Sequence, residues 1–256
     1  MNAIHTIAKA TITECIRSRV LILTLLFTVG LIIVSVGLAN IALGQRVRIV
    51  TDIGTTSASL VGSMIAIALV TTRMAADIRH RTMDAILVRP IARSTYLVGR
   101  ALGFWCVMII LTSIMLFSTL GIILGLGHSP SMALIVTFPM VWSEMAVVVG
   151  LSVLFNTMSK PALASAFAAG TIIAANFSDQ VLTSVKNMQT HAPILSRALR
   201  LLYHAIPDLA SMSLRTEAAN RLVFSPNKII FGVAYGLCYA ALTVTLASSM
   251  FNKKRS

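Results

Sequence analysis

The chain has 256 residues, of which 57% are hydrophobic and 11% charged, with a mean hydropathy of +0.87 and a formal charge of +13 from 21 Lys and Arg against 8 Asp and Glu. So little charge cannot clothe a soluble domain of this size, and apolar runs of about 18 residues or more reach the length that crosses a bilayer as a helix. The basic surplus sits between and beside those runs, where anionic headgroups hold it, and it lacks the aromatic interleaving of a strand-binding surface, which excludes nucleic acid as a partner.

In chain order, residues 1–19 read as an interfacial amphipathic helix. Ile4, Ile7, Ala8, Ile12, Cys15 and Ile16 share one face at helical spacing, and His5, Lys9, Thr13 and Arg17 form a polar stripe. A frayed leader is the plain alternative. The apolar run 20–43 is too long for the h-region of a signal peptide and reads as a first span. Gln45, Arg46, Val47, Arg48 and Asp52 read as a short loop, followed by a second span over about 55–72.

Residues 73–98 form the most polar segment between two apolar runs and carry Arg73, Arg79, Arg81, Arg89 and Arg93, with Arg100 just beyond. Pro90 cannot continue a helix and pushes Arg89 toward extended geometry, so 77–88 read as one short helix ending at a bend. Asp77 and Arg81 are spaced to pair on it, and Ser94 is placed to cap the next helix. A short helix joined rigidly to two spans transmits displacement. Simple anchoring of these arginines to anionic lipid is the competing reading.

A third span covers 99–126 and ends in a turn at Gly125, Gly127, His128 and Pro130. The fourth covers 132–155, contains Pro139, and carries Glu144, an intramembrane carboxylate. Such a charge is costly at that depth and marks either a functional site or a protonated acid bonded to a neighbouring Ser, Thr or Asn. Residues 156–161, with Lys160, read as a connection, and 162–177 as a fifth span whose Ala and Gly content favours close helix packing. In 178–227, expected outside the cytoplasm, Pro193 opens an amphipathic helix with Arg197 and Arg200 opposite its apolar face, Pro207-Asp208 breaks it, and a second helical stretch covers about 213–223; a solvated linker is the alternative. The sixth span covers 228–250 and is followed by Lys253, Lys254 and Arg255. With the N-terminus inside, thirteen Lys and Arg fall on the inner side and eight on the outer, which favours both termini in the cytoplasm. The fold class expected is all-α, with six transmembrane helices in a single domain.

The run T-x-x-x-x-L-x-R-P-I-x-R-x-x-Y-x-x-G-R from Thr82 to Arg100 resembles the loop between spans two and three of type-two ABC export permeases, in the six-span group that includes the permease of nitrous oxide reductase maturation. Leu154-Phe155-Asn156-Thr157-Met158 and Ile206-Pro207-Asp208-Leu209 agree with the same pattern, so the likeness covers nearly the whole chain. It departs at Asp77, where the family tends to have Glu, and near Arg81, where it has Gly before the Thr. The resemblance implies a bacterial inner-membrane permease, working as a homodimer or with a related chain on two copies of an ABC ATPase. It also implies that Asp77, Arg79, His80, Arg81, Thr82, Met83, Asp84, Arg89, Pro90 and Arg93 form or flank a coupling helix docked in an ATPase groove.

The chain has no G-x-x-x-x-G-K-[ST], so ATP and Mg would be held by the separate ATPase and this subunit would not itself be an enzyme. Three other functions are weighed against export. A mechanotransmitter would act on an extracytoplasmic partner without passing substrate, and the section 178–227 suits it. A membrane enzyme lacks support, because His5, His80, His128, His191 and His204 show no metal or acid–base spacing. A secondary transporter would want related halves, and none are visible. Cys15, Cys106 and Cys238 suggest neither a disulfide framework nor a zinc site, and no cofactor is expected in this chain.

Overall fold

The computed structural model describes residues 2–16, 22, 26–28, 30, 34, 37, 46–79, 93–176, 207, 209 and 226–253. Among them the regular structure is all helical: α1 (Asn2–Ile16), α2 (Arg46–Arg79), α3 (Arg93–Gly125), α4 (Met132–Met158), α5 (Pro161–Asn176) and α6 (Pro226–Lys253). Four helices are long and apolar enough to cross a membrane, over Arg46–Asp77, Ser94–Gly125, Leu134–Met158 and Asn227–Phe251. The described part of α5, at 16 residues, falls short of the roughly 20 that a bilayer core requires. The chain is therefore a helical membrane protein.

Side-chain contacts give the helix directions. Asp77 near the end of α2 meets Arg100 near the start of α3, and Gly54 lies against Thr119, so these two run antiparallel. Ser59 with Glu144 and Thr71 with Asn156 align α2 and α4 in the same direction. Gly232 against Met140 and Gly150 against Thr243 align α6 with α4. The ends of α2, α4 and α6 thus gather with the start of α3, and Arg79, Arg93, Lys160 and Lys253 all belong to that basic end. Helix α4 sits at the centre and packs against α2, α3, α5 and α6. Its Met145, Val147 and Val148 join Phe104, Met108, Leu111 and Leu69 in the main core.

Several boundaries differ from those read in the sequence. The expected loop at 45–52 is corrected: Arg46 to Asp52 are the first two turns of α2. Arg46, Arg48 and Asp52 point outward, but Val50 is fully buried beside Ile123 and Leu134, and the Thr51 hydroxyl donates to the Val47 carbonyl at 2.8 Å. The apolar period therefore continues beneath the charges. Asp77 does not open a separate short helix, since α2 runs unbroken through it to Arg79. Ser94 is not a cap but the second residue of α3. Helix α4 continues through Asn156 to Met158, so the connection to α5 is only Ser159 and Lys160. There the Asn156 amide donates to the Thr71 hydroxyl at 3.1 Å and to the Ser152 carbonyl at 2.8 Å.

The turn after α3 forms as expected, with Gly127 at φ 75° and its N–H donating to the Leu124 carbonyl. Ser131 caps α4, its hydroxyl accepting from the Leu134 N–H at 3.3 Å. On α5 the buried stripe is Ala164, Ala168, Ile172 and Ala175, the close packing that its composition predicted. The span expected at 20–43 has only scattered described positions, and within 178–227 only Pro207, Leu209 and the first two residues of α6 are described, so the helices expected in those stretches lie outside the described residues.

Helix α1 exposes His5, Lys9 and Thr13 and turns Ile7, Ala8, Thr11, Ile12 and Cys15 inward, while Ile16, expected on the inner face, is exposed. It lies against α3 at Gly99 and Gly103, one helical turn apart. A Cβ at Gly99 would stand 2.9 Å from the Ile7 side chain, and one at Gly103 would stand 2.6 Å from Thr11 Cβ. Close backbone approach of this kind is what a small-x-x-x-small pair permits in lipid. Burial shields the Cys15 thiol and pushes it up to about 11, so the docked helix keeps it protonated and unreactive at pH 8. Gly103→Leu should lift α1 from its seat, and maleimide labelling of Cys15, read by peptide mass, should rise from near zero to near completion.

Candidate functional site: an ionic clamp beside the basic connection

Three helices each contribute two polar side chains at one-turn spacing. Thr11 and Glu14 share a face of α1, Arg73 and Asp77 a face of α2, and Tyr96 and Arg100 a face of α3. The fold brings the six together where the basic connection 80–92 leaves α2 and enters α3.

Arg100 is the centre. Its Nε donates to Asp77 Oδ2 at 2.9 Å, its Nη2 reaches both Asp77 carboxylate oxygens, and its Nη1 donates to Glu14 Oε2 at 2.7 Å and to the Thr11 hydroxyl at 3.3 Å. The Tyr96 hydroxyl donates to Asp77 Oδ2 at 2.7 Å. Arg73 completes the group, its Nη1 donating to Glu14 Oε1 at 2.9 Å and its Nη2 to the Glu14 carbonyl at 3.2 Å. The Arg100 guanidinium also lies 5.7 Å from the Phe104 ring centroid and 5.9 Å from that of Tyr96, so its faces meet aromatic surface.

Two cations and two carboxylates balance, which is the condition for keeping charges out of water. Asp77 and Arg100 are 6% and 8% exposed, whereas the Glu14 side chain keeps 37% of its surface in solvent. Burial pushes the Glu14 carboxyl up. Hydrogen bonds and charge from Arg100, then Arg73, outweigh that effect and hold it below the usual carboxylate range. Among the described residues no buried side-chain nitrogen or oxygen lacks a partner. The planar fork of Arg100 matches the Asp77 carboxylate, so the pair fixes orientation as well as distance. The clamp can hold α1, α2 and α3 as one rigid corner.

Of the residues expected at the coupling site, Asp77 is buried in this clamp, Arg79 is exposed at the last position of α2, and Arg93 opens α3. His80, Arg81, Thr82, Met83, Asp84, Arg89 and Pro90 lie outside the described residues, so the expected Asp77–Arg81 pair has only one described member. The described partners of Asp77 are Tyr96 and Arg100. Glu14, Thr11 and Tyr96 carry no role in the sequence reading beyond Tyr96 as a motif letter. The available signal was Glu14, a lone acid on an otherwise apolar and basic N-terminal helix.

A second polar seam runs down α2 at Thr55, Ser59 and Ser63, all buried. The Ser59 hydroxyl donates to Glu144 Oε1, bridging α2 and α4. Glu144 thus has the serine partner that a purely structural acid requires. Of the residues expected on the outer side, Pro193, Arg197, Arg200 and Asp208 lie outside the described residues; Pro207 is buried, and its carbonyl accepts from the Leu209 N–H at 3.1 Å.

No protein-family model matches this chain, and no curated protein matches it.

Breaking the central pair on one side leaves a buried charge uncompensated. Asp77→Leu and Arg100→Met should each destabilise the fold by about 3–5 kcal/mol, and the double variant should cost less than either single one, measured by thermal unfolding in detergent. The depressed Glu14 carboxyl contributes stability that is present above its unfolded value and lost as pH falls through its folded one. Acidification below about pH 4, the ordinary carboxylate range, should therefore weaken α1 docking in the wild type, and Glu14→Gln should remove that dependence.

Proposed function

We propose that this chain is the membrane-spanning permease subunit of a type-two ABC exporter, coupling ATP hydrolysis by a separate ATPase to movement of substrate across a bacterial inner membrane. In this reading it has six spans, with 20–43 as the first and α5 extended as the fifth. Both termini lie in the cytoplasm. Two permease copies stand on two ATPase subunits, which hold ATP and Mg.

The observation that carries the reading is the ionic clamp beside residues 80–92. A connection that receives a push can pass it to the spans only if its two roots move together. Asp77 at the end of α2 and Arg100 near the start of α3 are bonded to each other, and Glu14 ties α1 to the same corner. A force on Arg89 and Pro90 would then be carried into two spanning helices and the docked N-terminal helix, with little lost to bending at the roots. The common placement of Arg79, Arg93, Lys160 and Lys253 at one end of the bundle supports an inward orientation of that end by the positive-inside bias.

Affinity purification of the chain from its native membrane should bring down a stoichiometric ATPase. Within that complex, Arg89→Glu or Pro90→Gly should leave ATP turnover running while transport falls to background. Recovery without any nucleotide-hydrolysing companion, or unchanged transport in both variants, would refute the reading.

A further inference from the structure

A groove of about 750 Å³ runs along the exposed face of α1, lined by Thr6, Lys9, Ala10, Thr13 and Glu14 of that helix and by Arg73 of α2. Residues 6, 9, 10 and 13 share one face at helical spacing, opposite Ile7 and Thr11, which meet the glycine seat on α3. The ionic clamp beside the groove is neutral by itself, because Glu14 and Asp77 offset Arg73 and Arg100. Lys9 is a further positive charge. It is exposed, and among the described residues it has no acidic partner. Arg73 also keeps donors to spare: one N–H on Nη1 and one on Nη2 go to Glu14, and the other N–H groups of its guanidinium remain.

The groove stands where the apolar spans end. Asp77 is the last residue of one span and Ser94 the first of the next, and Arg73 lies one turn, about 6 Å at 1.5 Å per residue, inside Asp77. That is the level at which lipid headgroups begin. A guanidinium fork beside a lysine ammonium suits phosphate oxygens, and the single charge of a phosphodiester matches the unbalanced charge of Lys9. A choline headgroup would bring its own cation against Lys9, so a headgroup of net negative charge fits better. We infer that this groove seats the phosphate of an anionic membrane phospholipid between Lys9 and Arg73. The site requires only that the chain be embedded in a bilayer with α1 docked, and it is independent of any ATPase.

The test uses the full chain with the photo-crosslinking residue benzoylphenylalanine in place of Thr6, embedded in vesicles of equal parts phosphatidylglycerol and phosphatidylcholine. After irradiation, the lipid joined to the α1 peptide is identified by mass. The phosphatidylglycerol adduct should exceed the phosphatidylcholine adduct by roughly fivefold, the factor that one basic residue near a membrane surface carries. Lys9→Gln should bring the two adducts level while Cys15 stays shielded from maleimide, and Lys9→Arg should restore the preference. Inorganic phosphate added at constant ionic strength should leave the ratio unchanged. A fall in the phosphatidylglycerol adduct would hand the groove to a soluble phosphate and overturn the lipid. Equal adducts with Lys9 in place, a preference that survives Lys9→Gln, or no lipid adduct at all would each overturn the site.

Discussion

A guanidinium held away from water must find negative charge within reach, and in this fold Arg100 finds it on two other helices. Asp77 supplies a carboxylate in fork geometry and Glu14 a second one, which in turn holds Arg73. Every member is charge-matched or hydrogen-bonded, so the group can persist at the edge of an apolar bundle. The rest of the fold near the basic connection follows from it. The crossing of α2 and α3, the seat of α1 on Gly99 and Gly103, and the burial of Cys15 all require Arg100 to face inward.

The bundle spends its remaining buried polarity on shorter links. Ser59 with Glu144 and Thr71 with Asn156 tie α2 to α4 at two depths, and most other buried hydroxyls turn back onto carbonyls of their own helices. Between α4 and α6 the contact is made instead by close approach at Gly150 and Gly232. Association in lipid draws little from the hydrophobic effect, so small residues and sparse polar bridges carry the specificity. The α2–α3–α1 corner is thus held by ion pairs, whereas α4 and α6 meet through close packing at their glycines.

How much of this was legible varied with the kind of signal. Apolar length located α2, α3, α4 and α6, and Gly125, Gly127, His128 and Pro130 announced the turn between α3 and α4, because those features act locally. The apparent loop at Arg46–Asp52 misled, since surface charges on a helix look like a loop until Val50 is known to be buried. The clamp was harder to see. Arg73, Asp77 and Arg100 stood out as charges beside apolar runs, but i,i+4 spacing pointed Asp77 toward Arg81 and said nothing of a helix 86 residues away in sequence from Arg100. Ion pairing across helices depends on which faces meet, and neither composition nor period encodes that.

The seat of α1 also carries a consequence for the order in which the protein is made. Glu14 is synthesised 59 residues before Arg73 and 86 before Arg100, and the glycine pair that receives α1 lies in the later of those two helices. Until α3 has emerged and entered the bilayer, the N-terminal helix has no surface shaped to receive it, and its carboxylate stays hydrated. Docking of the first helix is therefore a late event in assembly, a closing latch on a bundle whose second and third helices must already have met.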